Sequence, residues 1–178
     1  SSAIHRLAEA KGAVELLLAD CYVRRDRVAV IAFHGQVAET LLPPTRSLAR
    51  AKRSLAGLPG GGGTPLATGI DAARGMAAAS VRRGETPVIV LLTDGRANVD
   101  RSGLGGRVSA ATDALSAARS ICGDNVAAIL IDTSNSKQPQ AESLAGAMRA
   151  IYLPLPRADS AVLSRAVLGA AKALQTHG

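Results

Sequence analysis

The sequence predicts an α/β protein of the doubly wound class, with a mostly parallel sheet, helices on both faces and one antiparallel edge strand. Short apolar runs alternate along the chain with longer segments in which apolar residues recur at helical spacing. Three of the runs are apolar throughout, as in strands buried on both faces of a parallel sheet. The 178 residues fit a single domain over 1–178, and the scarcity of aromatic residues, 2% of the chain, leaves Val, Ile, Leu and Ala to build its core.

The first half of the chain predicts three helices and a hairpin. An apolar stripe at helical spacing predicts the first helix, and β-branched runs on either side of Gly35 predict the hairpin. We expect Pro43 and Pro44 to end its second strand, because proline cannot donate to the ladder. Thr64 and Pro65 have the form of an N-cap followed by a proline at the first helical position. The predicted elements are a helix over 3–22, strands over 27–33 and 37–42, a helix over 47–55 and a helix over 65–82.

The second half alternates strands with helices, which is the pattern of a parallel sheet built from strand–helix–strand units. Its predicted elements are strands over 87–93, 126–132 and 151–153 and helices over 108–121, 140–149 and 160–175. In a doubly wound sheet the strand before the first helix usually lies at the centre, whereas this chain opens with a helix. We therefore expect an N-terminally incomplete domain that lacks the usual first central strand: either the parent polypeptide has more sequence upstream, or the sheet is built around a missing strand.

Basic residues give the chain a formal net charge of +7, with clusters at 24–27, 46–53 and 82–83. This charge favours an acidic partner. Nucleic acid is disfavoured as a partner, because single-strand binding uses aromatic stacking platforms and the chain has one Phe, two Tyr and no Trp. No apolar run is long enough to span a membrane and no signal-peptide pattern opens the sequence, so we expect a cytoplasmic protein.

Two oxygen ligands mark the predicted functional edge of the sheet. Thr64 follows a run of glycines, Gly60 to Gly63, that permits close backbone approach, and Asp94 follows the third predicted strand. Ligands of open α/β sheets gather at the carboxyl ends of the strands, and Mg²⁺ prefers oxygen ligands while keeping several waters. Together with the serine pair Ser1-Ser2, these residues predict a small hard-cation site at the edge of a parallel sheet.

The loops at this edge supply further candidates. Arg96, Asn98 and Arg101 lie in the loop after the third strand and are candidates for contact with a partner protein. Asp100 and Asp132 could line the same edge, and loop capping or solvation is the role that we expect for both.

Other chemistries lack their signatures in this sequence. The glycine run is not followed by Gly-Lys-Ser/Thr, and the G-x-G-x-x-G spacing is not met, so neither a phosphate-binding P-loop nor a dinucleotide fingerprint is present. G-x-S-x-G is missing as well. A metal-dependent hydrolase using Asp94 is the enzyme alternative, but no base or nucleophile accompanies that aspartate. The sequence therefore favours a noncatalytic docking module.

Two segments, GGGGTPLATGIDAA and PVIVLLTDGRANVD, resemble the von Willebrand A, or integrin I, domain and its metal-ion-dependent adhesion site. Longer stretches, including KGAVELLLADCYVRRDRVAVIAF and YLPLPRADSAVLSRAVLGAA, are similar to the C-terminal integrin I domain of the D subunit of magnesium chelatase. The similarity covers essentially the whole chain and is more specific than the metal motif alone.

The resemblance implies a metal site built from an Asp-x-Ser-x-Ser loop, a distant Thr and a later Asp. Thr64 matches the threonine, Asp94 matches the later aspartate, and Ser1 matches the last serine of the loop. The aspartate and first serine of the loop have no counterpart in this sequence. In the family, an Asp or Glu from a partner would take an open coordination position on the ion, which joins two proteins through one Mg²⁺.

The resemblance also implies a role in chlorophyll or bacteriochlorophyll synthesis, where a complex inserts Mg²⁺ into protoporphyrin IX at the expense of ATP. The implied partners are an I subunit, which is an AAA+ ATPase, and a porphyrin-binding H subunit. The implied location is the bacterial cytoplasm, or the plastid stroma in a plant or alga. The alternative is the corresponding domain of a cobalt chelatase or of another von Willebrand A protein that works with an AAA+ ATPase.

Overall fold

The computed structural model describes residues 2–57, 63–134 and 139–154, together with residues 162, 165, 166, 168 and 169. Ser1, Gly60 to Gly62 and most of the predicted last helix lie outside these residues. The elements are α1 Ser2–Arg24, β1 Val28–His34, β2 Val37–Thr45, α2 Leu48–Ala56, α3 Leu66–Arg82, β3 Val88–Thr93, α4 Arg107–Gly123, β4 Ala127–Asp132, α5 Pro139–Met148 and β5 Ile151–Pro154. None of the described helices is both long and apolar enough to cross a membrane.

The strands form two sheets within the described residues. β1 and β2 pair antiparallel, and β3, β4 and β5 pair parallel in that order. The predicted α/β class, its parallel strands and its antiparallel pair are confirmed. In the described part of the chain no ladder joins β1 to β3, so the hairpin and the parallel sheet are held together by packing rather than by backbone hydrogen bonds.

The second strand of the hairpin is longer than predicted. β2 runs through both prolines to Thr45, so the expectation that they end the strand is wrong. The register explains how they are accommodated, because Val28 pairs with Thr45 whereas Val30 pairs with Leu42, which leaves an extra residue in β2. Proline is tolerated at such a bulge on an edge strand, where a missing N–H need not break a ladder hydrogen bond.

The parallel sheet is buried on both faces. Ala128 and Leu130 of β4 pack in a cluster with α3, α4 and α5, while Ile129 and Ile131 point to the other face, where Ala166 packs. This alternation explains why β4 is apolar in every position until its final aspartate. A separate cluster joins α1, β2 and α2. Among the described residues, α3, α4 and α5 therefore cover one face of the parallel sheet, Ala166 packs on its other face, and α1 and α2 pack on the hairpin.

Helix α3 packs against both sheets. Its Leu66, Ala67 and Ile70 are 0 to 2% exposed and lie in the cluster that contains residues of β3 and β4. Gly69 lies against Phe33 of β1, which packs against the same cluster, so closely that an added Cβ would come within 2.6 Å of the Phe33 ring. Since β1 and β3 are not hydrogen bonded to each other, α3 is a bridge between the two sheets.

We predict that Gly69→Ala destabilises the fold, because the added methyl overlaps the Phe33 ring at the contact between α3 and β1. The expected loss in the free energy of unfolding, measured by urea denaturation, is about 1 to 3 kcal/mol, the usual cost of overpacking. Gly75→Ala on the same helix is the matched control, since no atom lies within 4 Å of its added Cβ. Alanine should there stabilise the helix by about 0.5 to 1 kcal/mol. Equal effects of the two substitutions would contradict the close contact.

Candidate functional site

The carboxyl ends of β3 and β4 lie side by side at one edge of the parallel sheet. Thr93 pairs with Asp132, and the Thr133 N–H donates to the Thr93 carbonyl at 3.1 Å. Asp94 is the first residue beyond β3. The structure therefore places Asp94 and Asp132 at the same edge, called the rim below.

The segment that carries Thr64 is clamped between two other loops. Gly63 lies against the carbonyl oxygen of Gly35, in the turn after β1, and against Val99, in the loop after β3. An added Cβ at Gly63 would overlap the Gly35 oxygen and come within 2.8 Å of a Val99 methyl carbon. The close approach predicted for the glycine run is thus confirmed at Gly63, and Thr64 lies beside the loop that Asp94 begins.

Asn98 joins the two predicted ligand segments directly. The Thr64 N–H donates to Asn98 Oδ1 at 2.6 Å, and the Asn98 N–H donates to the Thr64 carbonyl at 3.3 Å. These reciprocal bonds fix the position of Thr64 relative to the loop after β3. Sequence reasoning singled out Asn98 only as a partner contact, because a pair of bonds across 34 positions leaves no local pattern.

The structure corrects the N-terminus of α3. The helix begins at Leu66 with Pro65 as its N-cap residue and no side-chain capping bond, so the expectation that Thr64 caps the helix is wrong. The physical reason is that both backbone polar groups of Thr64 are bound to Asn98, which holds Thr64 outside the helix. Among the described residues the Thr64 hydroxyl makes no hydrogen bond, so it does not act as the helix cap.

The Asp94 carboxylate is half-buried and only partly engaged. One oxygen accepts the Arg96 N–H at 2.9 Å, and the other lies 3.6 Å from Arg96 Nε. The turn requires Gly95, whose φ is +84° and which lies against the backbone nitrogen of Ala141 at the start of α5. The Arg96 side chain is 66% exposed, and an ion pair so open to water holds a carboxylate weakly. Asp94 is therefore positioned by its turn and remains accessible.

Arg101 forms an ion pair with Asp71 within the chain. Its guanidinium binds both carboxylate oxygens of Asp71 on α3, at 2.9 and 3.1 Å. The backbone N–H of Arg101 donates to Asp113 on α4. The hydrogen bond to Asp71 is the main reason that the pKa of Arg101 is raised. Of the three residues predicted to contact a partner, Arg96 presents its charge to solvent, whereas the side chains of Asn98 and Arg101 hold the loop in place.

The other two candidate aspartates, Asp132 and Asp100, accept hydrogen bonds within the loops that follow them. Asp132 is 2% exposed and accepts hydrogen bonds from the Ser134 N–H and hydroxyl, at 2.9 and 2.5 Å, and from the Tyr152 hydroxyl. Burial, and then the bond to Asp132, raises the pKa of Tyr152 to about 12. Asp100 accepts hydrogen bonds from backbone N–H groups in the loop that it begins. The capping role expected for both aspartates is confirmed.

The donor types of Thr64 and Asp94 are those that a hydrated Mg²⁺ ion prefers. The Thr64 hydroxyl and the Asp94 carboxylate are hard oxygens on loops that are fastened to each other, and Mg²⁺ takes one or two such ligands while keeping several waters. No group of three or more His, Cys, Asp or Glu side chains that could hold a metal occurs among the described residues. Ser1, the third predicted ligand, lies outside them.

A model of the von Willebrand factor type A domain matches residues 1–96, more than half of the chain. The chain belongs to this family. Among solved structures, the conserved hypothetical protein BatB from Bacteroides thetaiotaomicron has a TM-score of 0.67 and 19% sequence identity, over 93% of this chain and 88% of that one. At that identity the likeness shows the fold alone, and it agrees with the α/β architecture described above.

The chain is also similar along nearly its whole length to subunits of magnesium chelatase. It is 54% identical to the Magnesium-chelatase 60 kDa subunit of Cereibacter sphaeroides and 48% identical to that of Rhodobacter capsulatus, in both cases over 96% of the chain. The chain spans 30% of the length of each relative. The family resemblance predicted from the sequence motifs is confirmed.

We predict that Asn98→Ala loosens the link between the two ligand segments, because the Thr64 N–H loses its acceptor. The free energy of unfolding should fall by about 1 kcal/mol, and the Thr64 amide should exchange with solvent faster, as measured by NMR hydrogen exchange. Asn98→Asp is the matched control, since a carboxylate oxygen can still accept the bond. Unchanged protection of the Thr64 amide in Asn98→Ala would show that Asn98 does not hold this segment.

Asp132→Asn should lower the pKa of Tyr152 from its value of about 12, because the negative charge that disfavours the phenolate is removed. The folded pKa of Tyr152 lies above the value of about 10 for an unfolded tyrosine. The neutral hydroxyl therefore stabilises the fold below the unfolded pKa, and this contribution is lost as pH rises through the folded pKa. Spectrophotometric titration of the phenol measures the shift, and an unchanged pKa in the variant would refute this coupling.

Proposed function

We propose that the chain is a noncatalytic protein-docking domain of a magnesium chelatase D subunit, and that it supports ATP-dependent insertion of Mg²⁺ into protoporphyrin IX in chlorophyll or bacteriochlorophyll synthesis. The observation that carries this proposal is the 54% identity, over 96% of the chain, to the Cereibacter sphaeroides 60 kDa subunit. The chain spans 30% of the length of that relative. Of the functions of a whole D subunit, we assign protein docking to this domain.

Docking would use the rim. Thr64 and Ser1 would supply hydroxyl ligands to Mg²⁺, and Asp94 would supply a carboxylate held directly or through water. The ion would offer an open coordination position to an Asp or Glu of the partner. The half-exposed Asp94 carboxylate supports this role, and so does the Thr64 hydroxyl, to which no described residue is hydrogen bonded. The Asn98 link supports it as well, because ligands held by packed loops need little rearrangement on binding.

The partners that we propose are the I subunit, an AAA+ ATPase, and the porphyrin-binding H subunit. Arg96 lies beside Asp94 with its side chain 66% exposed, so it would meet the carboxylate of an approaching partner. The net charge of +7 favours the approach of an acidic surface over long range.

We predict that Asp94→Asn weakens Mg²⁺-dependent association of the full D subunit with its partner subunits by at least about tenfold, since the rim loses its carboxylate ligand. Asparagine is chosen because its side-chain oxygen can still accept the Arg96 N–H, which preserves the turn. Asp124→Asn is the matched control, because Asp124 is an exposed carboxylate that follows α4 and pairs with Arg74.

A pull-down of the full D subunit against the I and H subunits, with Mg²⁺ or with EDTA, measures this association. The wild type and Asp124→Asn should bind with Mg²⁺ and release their partners in EDTA, whereas Asp94→Asn should bind weakly in both. If association and chelation survive both EDTA and Asp94→Asn, the metal-bridge mechanism is wrong even though the family assignment stands.

A further inference from the structure

Most of the net positive charge of the chain is concentrated between residues 24 and 53. This stretch carries seven Lys or Arg and two Asp or Glu side chains, a net charge of +5 in a chain whose total is +7. Six of its basic residues are exposed, and one of them, Arg27, pairs with Glu85. The other five form what is called here the basic surface: Arg25, Arg46, Arg50, Lys52 and Arg53.

The fold gathers the basic surface at the amino end of β1. Arg25 follows α1 and Arg46 precedes α2, and the Arg46 Nε donates to the Arg25 carbonyl at 3.1 Å. Leu18 of α1 and Ala51 of α2 are buried in one cluster, so the two helices lie side by side. The carboxyl end of β1 leads instead to the turn that contacts Gly63, next to the rim. The seven residues of β1 separate the two ends by about 20 Å, so the basic surface is distinct from the rim.

Helix α2 gains stability from only one of its charges, that of Arg53 in the last turn, where the macrodipole favours a cation. Its sequence, LARAKRSLA, has three basic side chains and no acidic one. Arg50 lies in the first turn, where the helix macrodipole disfavours positive charge, and Arg50 and Arg53 are three positions apart, where like charges repel. Among the described residues no ion pair relieves the charges of α2. An anionic partner would remove this repulsion.

Apolar side chains beside the basic surface favour a protein as that partner. Tyr22 and Val23, in the last turn of α1, are 56% and 79% exposed, and the Tyr22 carbonyl accepts the Arg25 N–H at 3.0 Å. Interfaces between proteins combine Tyr and Arg with apolar contacts, whereas contacts to nucleic acid go mainly to phosphates. A second copy of this chain would present the same positive charge and be repelled.

We propose that the basic surface binds an acidic polypeptide segment that also carries apolar side chains. This contact is independent of metal and lies beyond the docking proposed for the rim. It gives the domain two recognition surfaces at opposite ends of β1.

The double substitution Arg50→Glu with Lys52→Glu tests the proposal. The Ser47 hydroxyl accepts the N–H of residue 50 at 3.3 Å, so a glutamate at that position completes a capping box and supplies the missing acidic residue of the first turn. The variant should therefore unfold at a higher temperature than the wild type while its binding is lost, a combination that a purely structural role would not produce. Arg107→Glu with Arg119→Glu is the matched control, because it changes the net charge equally at exposed positions of α4.

The probe is a fluorescently labelled peptide of about 20 residues in which Glu alternates with Leu, titrated into the full chain at about 150 mM salt and followed by anisotropy. The wild type should bind it, the Arg50/Lys52 variant should bind at least about tenfold more weakly, and the control should change by less than about twofold. EDTA and Asp94→Asn should leave peptide binding unchanged. The test of the basic surface can therefore fail without any bearing on metal-dependent docking at the rim, and the reverse also holds.

Three outcomes would overturn the proposal. The first is no binding of the peptide by the wild type. The second is an equal loss in the variant and the control, which would show that net charge and not this surface binds the peptide. The third is complete displacement of the peptide by duplex DNA or by phosphatidylserine vesicles, which would identify the surface as a site for nucleic acid or for a membrane.

Discussion

The packing of α3 against two separate sheets is the constraint on which the rest of the structure depends. No ladder joins β1 to β3 among the described residues, so the hairpin is held to the parallel sheet by the buried side chains of α3 and by the close contact of Gly69 with Phe33. The helix begins two residues after Thr64, and its Asp71 anchors Arg101. The same packing therefore determines where Thr64 emerges and where the loop after β3 is fastened.

The sequence predicted the elements well because their signals are local. Helix α3 ends at Arg82 as predicted, and β3 and β4 begin one residue later than predicted, since apolar periodicity and turn residues mark these boundaries within a few positions. The misplaced boundaries depend on distant partners. β2 continues through its prolines only because its register with β1 shifts at a bulge, and α3 begins one residue late because Asn98 holds Thr64.

The candidate site was predictable in part for the same reason. Asp94 lies at the rim because it directly follows a parallel strand, and Thr64 lies beside the loop that Asp94 begins because glycine permits the close approach at Gly63. The connections that hold the site could not be predicted, since Asn98 and Arg101 reach partners 34 and 30 positions away. A charged loop residue looks the same in a sequence whether it faces a partner or an internal carboxylate. The two recognition surfaces inferred from this arrangement differ in physical character, one resting on coordination to an ion and the other on charge that salt screens.

The most direct test of the central claim, that Thr64 and Asp94 converge on one divalent ion, is paramagnetic broadening by Mn²⁺, which occupies oxygen sites like those of Mg²⁺. Substoichiometric Mn²⁺ is added to the chain and the amide signals are followed by NMR, with Mg²⁺ as competitor. The account predicts that the amides of Thr64, Gly95 and Arg96 broaden together and recover when Mg²⁺ is added. Broadening that spares either Thr64 or the Asp94 turn, or that arises elsewhere in the chain, would contradict it.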